Sequence, residues 1–221
     1  MSDLEAFTPK GMLHEGWSAQ VDDYAIVCGW ALQGKAFLVG DAAGGVYSFE
    51  GKSGKLIWRT KDIHKGGLLA MSIRPDGNTF ATAGQDGHVL IWESKEGKSI
   101  NDLELGRGWV EHIKWSPDGK FFAVVFTKYV YVFNEKGQEH WRSAQHPSTV
   151  SAIAWSNSNE LATACYGQVT FFDIVTDKVN QKLEWQGSLV SMVLSPDGDI
   201  VACGSQDNSV HFWRRSTEQD A

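Results

Sequence analysis

One pattern constrains this chain more than any other: a short apolar run, a tight turn and two further apolar runs, recurring five times in register. The turns are Gln33-Gly34, Asp76-Gly77, Asp118-Gly119, Ser158-Asn159 and Asp197-Gly198. The clearest copy is Met71–Trp92, MSIRPDGNTFATAGQDGHVLIW. Pro presets φ and Gly tolerates positive φ, so Pro75-Asp76-Gly77 predicts a tight turn between antiparallel strands. The run Phe80–Ala83 is too short for a helix and has turn residues on both sides. A unit of this kind cannot bury both faces of its own sheet, so the copies must stack on one another.

The spacing of about 40 residues is that of a four-stranded propeller blade. First strands carry apolar residues at matching places: Ala25/Cys28/Trp30, Leu68/Met71/Ile73, Val110/Ile113/Trp115, Val150/Ile153/Trp155 and Leu189/Met192/Leu194. Second strands read AFLVG, TFATAG, FFAVVF, ELATAC and IVACGS, and third strands GVYSFE, HVLIWE, YVYVFN, QVTFFD and SVHFWR. Outer strands KLIWRT, SINDLEL, QEHWRS and KVNQKLEW complete the first four units. Helix-period segments are essentially absent. The reading predicts an all-β propeller of four-stranded antiparallel blades, about five in number, as one domain over 1–221. The blades fall at approximately 21–61, 62–105, 106–144, 145–185 and 186–215.

At this point the residues carry a family resemblance over nearly the whole chain. The second unit resembles a WD40 repeat, with His64, the RPDG turn, Ala81–Gly87 and Ile91-Trp92; the fifth is similar, with SPDG at Ser195–Gly198, Asp207 and Phe212-Trp213. The resemblance implies a structural network of His64, Thr82, Asp86 and Trp92, continued by His146 and Thr163 in the fourth unit and by Asp207 and Trp213 in the fifth. A buried imidazole or carboxylate needs such partners, because an unpaired one costs a few kcal/mol. The third unit lacks the His and the Asp, the fifth has Trp185 in the His place, and the first has Ala43 and Phe49 in place of Asp and Trp. The first unit resembles instead a quinoprotein-type propeller repeat, in which an outer-strand Trp packs between blades; Trp58 and Trp141 fit that pattern.

Closure leaves two forms open. Met12–Gln20 reads as a stray outer strand within an N-terminal tail, 1–20, and is the candidate closing strand of the last blade, whose own sequence ends in the polar stretch Arg214–Ala221. The alternatives are a closed five-bladed ring and the leading part of a seven-bladed propeller. An incomplete propeller would expose an apolar face and self-associate.

Composition narrows the function. A formal net charge of -7 argues against a nucleic-acid partner, and no apolar run is long enough to span a bilayer. The acidic, proline-containing N-terminus is unlike a signal peptide. Cys28, Cys165 and Cys203 are odd in number and lie inside strand-like runs, so they read as small core residues in a reducing, cytoplasmic setting. No metal-ligand spacing links the seven histidines, no cofactor motif is present, and Asp22, Asp23 and Asp41 are too local for a multi-blade catalytic site.

The reading is therefore a non-catalytic scaffold that docks a protein or peptide partner on the loop-bearing face. Residues before first strands and between second and third strands would sit there: Asp22, Tyr24, Gln85, Arg107, Trp109, Tyr166, Trp185 and Gln206. Trp, Tyr and Arg are the side chains that dominate binding hot spots. The alternatives are a propeller hydrolase with a carboxylate site in its funnel and a quinoprotein-like assembly scaffold.

Overall fold

The computed structural model describes residues 16–216. The first sheet is β1 (Ala25–Ala31), β2 (Ala36–Asp41), β3 (Val46–Glu50) and β4 (Leu56–Thr60); the second is β5 (Leu68–Ile73), β6 (Thr79–Gly84), β7 (His88–Glu93) and β8 (Lys98–Glu104). The third is β9 (Val110–Trp115), β10 (Phe121–Phe126), β11 (Tyr129–Asn134) and β12 (Glu139–Arg142). All three are antiparallel meanders in chain order. The turns form as their residues dictate. Around Pro75-Asp76-Gly77, Arg74 N donates to Thr79 O, Asn78 N donates to Asp76 Oδ1, and Gly77 adopts φ +72°. The fourth copy has no Gly, and there the Asn157 side chain accepts from both Asn159 N and Glu160 N.

The remaining strands are β13 (Ala152–Trp155), β14 (Glu160–Asp173), β15 (Lys178–Leu194), β16 (Ile200–Ser205) and β17 (Val210–Arg214), joined as one five-stranded sheet. β14 folds back at Gly167, φ +83°. Its first leg pairs with β13 and its second with β15, while Ile174 N reaches Asn159 O at 2.9 Å. β15 likewise serves two units, its first part on β14 and Leu189–Leu194 on β16. The outer strand of the fourth unit thus runs into the first strand of the fifth without a break.

The core lies between successive sheets. Met71, Phe80 and Trp92 pack on Ala31, Leu38 and Val46; Ala81, Val89 and Ile91 pack on Val110, Ile113 and Phe122. Val125, Val132 and Trp141 meet Val150, Ile153 and Leu161, and Val169 and Phe171 meet Leu189, Met192 and Val201. Each such aromatic or branched side chain contributes about 1.5–3 kcal/mol on burial. β1 lies against β5, β5 against β9, β9 against β13 and β13 against β15, which makes these first strands the inner lining of the array.

β1 lies against β5 with its other face exposed, and β17 is exposed at the far end, so the described residues form an open arc, an incomplete β-propeller rather than a closed five-bladed ring. The arc explains one departure from the sequence reading. Cys165 and Cys203 are buried, but Cys28 is exposed, as are Ile26 and Trp30, because β1 has no sheet in front of it. Val193, Val210 and Phe212 are exposed at the other end for the same reason. Of Met12–Gln20, residues 12–15 lie outside the described residues; Trp17 rests its ring on Phe37 and Phe49 of the first sheet. Among the described residues no helix is long and apolar enough to cross a membrane.

Candidate functional site

In an antiparallel meander the start of the first strand, the turn from second to third and the end of the fourth all lie at one edge. That geometry sets Asp22, Tyr24, Gln85, Arg107, Trp109, Tyr166, Trp185 and Gln206 along a single rim, in three groups. In the first group, Ala42 N donates to Tyr24 O, and the Tyr24 side chain is 82% exposed. Asp22 pairs with Lys61 and, at 3.8 Å, with Arg59, while its backbone N–H donates to Tyr47 Oη at 3.0 Å.

The second group joins Gln85 to the Gly106–Trp109 loop. Gln85 N donates to Gly67 O, and Leu105 N donates to Gly87 O. A Cβ on Gly87, φ +79°, would stand 1.8 Å from Gly106 O, so only glycine lets these two loops meet. Gly106 and Gly108 have φ +129° and +152°, and they leave Trp109 54% exposed.

In the third group, Tyr166 pairs with Ser188 and Gln206 N donates to Ser188 O, so Tyr166, Gln206 and the Trp185 segment converge. Tyr166 is 59% exposed. Trp185 is half-buried with its ring 3.6 Å from that of His211, and its Nε1–H, buried, finds no hydrogen-bond partner. Gly167, Glu184, Trp185 and Gln186 line a cleft here of about 500 Å³.

Beneath the rim lies the polar scaffold. Trp92 Nε1–H donates to Thr82 Oγ1 at 2.9 Å, Thr82 Oγ1 is 3.0 Å from His64 Nε2, and His64 Nδ1 is 3.0 Å from Asp86 Oδ1. One proton assignment satisfies all three contacts: the Thr82 hydroxyl donates to Nε2 of a neutral imidazole, and Nδ1–H donates to Asp86. Burial holds the His64 pKa below its ordinary value, although Asp86 pulls the other way. Burial also works against the Asp86 carboxylate, but hydrogen bonds from His64 and from the backbone of His88 and Lys65 outweigh it and keep its pKa low. In the fourth unit His146 Nε2 meets Thr163 Oγ1 at 3.0 Å, and Lys128 O takes the place of the carboxylate at 3.1 Å from Nδ1. Asp207 and Trp213 join no such network: Asp207 holds Ser209, and Trp213 stands beside His211.

The first unit uses a different device, which the sequence reading did not assign. Asp41, 1% exposed, accepts from Gly45 N at 2.6 Å and from Tyr47 Oη–H at 2.9 Å. Burial, together with Asp41, pushes the Tyr47 phenol up to about 12, which makes it a permanent donor. The signal in the sequence was an acidic residue ahead of a Gly-Gly turn. Asp41 and Asp22 share one small cleft with Lys61, yet both are occupied in structural bonds. Ser209 Oγ–H donates to Asp207, and the same hydroxyl meets His211 Nε2. Among the described residues no three His, Cys, Asp or Glu side chains converge to hold a metal ion.

The family model for the WD domain, G-beta repeat, matches residues 56–93 and 178–214. Echinoderm microtubule-associated protein-like 2 of Mus musculus is 23% identical over 85% of this chain and 36% of its own length. The guanine nucleotide-binding protein subunit beta of Saccharomyces cerevisiae is 24% identical over 68% of this chain and 47% of its own. A p21-activated protein kinase-interacting protein 1-like of Danio rerio is 22% identical over 73% of this chain and 47% of its own. The chain thus spans less than half the length of each of these relatives. The two matched repeats, each an outer strand followed by the three inner strands of the next sheet, and the recurrence of that unit from β4, β8, β12 and β15 support the similarity of this chain to WD40-repeat proteins.

Proposed function

We propose that this protein is a non-catalytic interaction scaffold that docks a protein or peptide segment on its loop-bearing rim. The observation that carries the reading is the exposure of Tyr24 and Trp109 on loops and of Tyr166 at the reversal of β14, all more than half exposed on a rigid sheet framework. None of the three belongs to the apolar clusters between the sheets. Arg107, Asp22, Gln85 and Gln206 supply polar contacts beside them, and the half-buried Trp185 borders the Tyr166 group. The relatives support the class: one is named as a kinase-interacting protein, another as a subunit of a guanine nucleotide-binding protein. Three free cysteines fit a reducing, cytoplasmic setting. A net charge of -7 favours a protein segment over nucleic acid as the partner.

The test pairs rim variants with a stability control. Trp109→Ala and Tyr166→Ala should each weaken capture of a partner by about tenfold or more, as hot-spot truncations do. Thermal unfolding should stay within about 0.5 kcal/mol of the parent. Capture that survives the double variant unchanged would sink the rim assignment.

A further inference from the structure

In each sheet the turns from first to second strand and from third to fourth lie at the edge opposite the docking rim. At that edge the first blade holds a cleft of about 540 Å³, lined by Leu32, Lys35, Glu50, Lys55, Leu56 and Ile57. Leu32 enters it from the apolar cluster between the first and second sheets, and Leu56 and Ile57 are 42% and 50% exposed. This exposure belongs to the outer-strand position and not to a missing neighbour. Val179 pairs with Phe172 as Leu56 pairs with Phe49, and Ile100 precedes Asn101 as Ile57 precedes Trp58. Both lie in blades with another blade in front, and they are 47% and 57% exposed. Trp17 Nε1–H donates to Gly51 O as Trp58 Nε1–H donates to Ser94 O, so this corner has the same indole cover as that of the second blade.

Comparison between blades shows what the first one lacks. In the third blade Lys120 stands where Lys35 stands, and it pairs with Asp118 at 3.2 Å; the first blade has Gln33 in place of that aspartate. In the second blade Lys98 stands where Lys55 stands, and it pairs with Glu96 at 2.5 Å; the first blade has Ser53 in place of that glutamate. Lys35 and Lys55 have thus each lost the carboxylate that their equivalents keep, and among the described residues neither ammonium has a partner. Glu50, the carboxylate in the cleft lining, accepts from Ser53 Oγ–H instead. The apolar lining also sets this blade apart. Leu32, φ +50°, replaces Pro75 and Pro117, and Leu56 replaces Ser99 and Glu139. One unpaired surface lysine is ordinary. Two of them at one exposed apolar cleft, each without its counter-ion, complement an apolar group flanked by carboxylates.

We propose that this cleft is a second docking site, which takes an extended acidic segment of a partner protein through one bulky apolar side chain. That side chain packs on Leu32, Leu56 and Ile57. Carboxylates beside it in the segment accept from Lys35 and Lys55, as Asp118 and Glu96 accept from Lys120 and Lys98. Such bonds are of the stronger, charge-assisted kind, and the apolar contact fixes where along the segment they form. A concave cleft accepts a side chain, whereas an anionic bilayer surface would repel a chain of formal charge -7. The site lies on the opposite edge from Trp109 and acts independently of the rim.

The experiment is a fluorescence-anisotropy titration of the full chain with a labelled peptide, Gly-Glu-Glu-Phe-Glu-Glu-Gly, and with a second peptide in which lysine replaces each glutamate. The expected results are saturable binding of the acidic peptide, weakened by added salt, and no binding of the basic one. Lys35→Glu combined with Lys55→Glu should weaken binding of the acidic peptide at least ~tenfold. Both changes are at exposed sites, so the circular dichroism spectrum and the unfolding midpoint should not move. Trp109→Ala should leave the affinity unchanged, which separates this cleft from the docking rim. No saturable binding by the parent, equal affinity in the double variant, or loss of binding in Trp109→Ala overturns the proposal. Two other occupants are read by sedimentation, with and without phosphatidylserine vesicles. Vesicle binding or dimer formation that the double variant abolishes would assign the lysines to a membrane or to a second copy, and either result overturns it.

Discussion

Replacing Thr82 by Val keeps the shape of a fully buried side chain and deletes one oxygen. That oxygen is the middle of a chain: it accepts from Trp92 Nε1–H and donates to His64 Nε2. Both groups would be left buried and unpaired, each at about 1–3 kcal/mol, so Thr82→Val should cost about 2–6 kcal/mol. The fourth unit supplies the control. Thr163, equally buried, meets His146 Nε2, but Phe172 stands where Trp92 stands and has no N–H to lose. Thr163→Val should therefore cost about 1–3 kcal/mol. Urea unfolding followed by tryptophan fluorescence would read both, and the midpoint difference between the two variants is the decisive quantity. If they cost the same, the indole N–H contributes nothing and the chain-of-three account of the second blade is wrong.

Trp58→Phe keeps the stacking on Phe80 and loses the bond to Ser94 O, so it should cost about 1 kcal/mol, against about 3–5 for Trp58→Ala in the same urea assay. Arg215→Met removes the partner of Glu160, whose side chain is 10% exposed, and should cost about 3 kcal/mol; a change under about 0.5 kcal/mol would show that Ser156 and Asn180 satisfy the carboxylate unaided. Burial lowers the pKa of His64 and of His146, so below the ordinary value of 6.5 the unfolded chain binds protons that the folded chain refuses. Stability should be level above pH 6.5 and fall below it by up to about 1.4 kcal/mol per pH unit for each histidine until its folded pKa is reached, read as urea midpoints across pH. His88 runs the other way, raised by its hydrogen bond to Asp102, and its contribution is lost as pH rises through its folded pKa; its side chain is 31% exposed, so that opposing effect is small.

The strands and turns were legible because the pattern is local: Pro-Asp-Gly forces a reversal, and period-two alternation names the buried face. His64, Thr82, Asp86 and Trp92 were legible through the resemblance, and their contacts are the ones described above. What was not legible depended on what stands beside a residue. Cys28 has the strand context of Met71 and is exposed only because no sheet lies in front of β1. Asp41 was noticed as a carboxylate, but its role comes from Tyr47, a third-strand residue whose counterpart in the second sheet is Leu90. The stretch from Arg214 onward looked like polar tail, yet Arg215 reaches Glu160, 55 residues upstream, and lies 3.8 Å over the Phe171 ring. On the rim, placement followed from strand order, while the exposure of Trp109 and the half-burial of Trp185 depended on loop packing that no spacing encodes.

The rim also shows why the third blade departs from the pattern of the second. In the second blade His64 ties the loop before β5 to the turn before β7, and Asp86 accepts from Lys65 N and from His88 N. The course of that loop is fixed by the network through the buried His64 side chain. The third blade has no histidine at the equivalent place. Its loop is held instead by Leu105 N on Gly87 O and by Gly108 against the Phe126 ring, contacts made through backbone and glycine. Side-chain identity at Arg107 and Trp109 is thereby released from structural duty, since the loop keeps its course whatever those two residues are. The second and fourth blades tie their loops down through the imidazole network. The third blade carries no such network, and it is there that the chain puts an arginine and a tryptophan, the side chains proposed above as docking contacts.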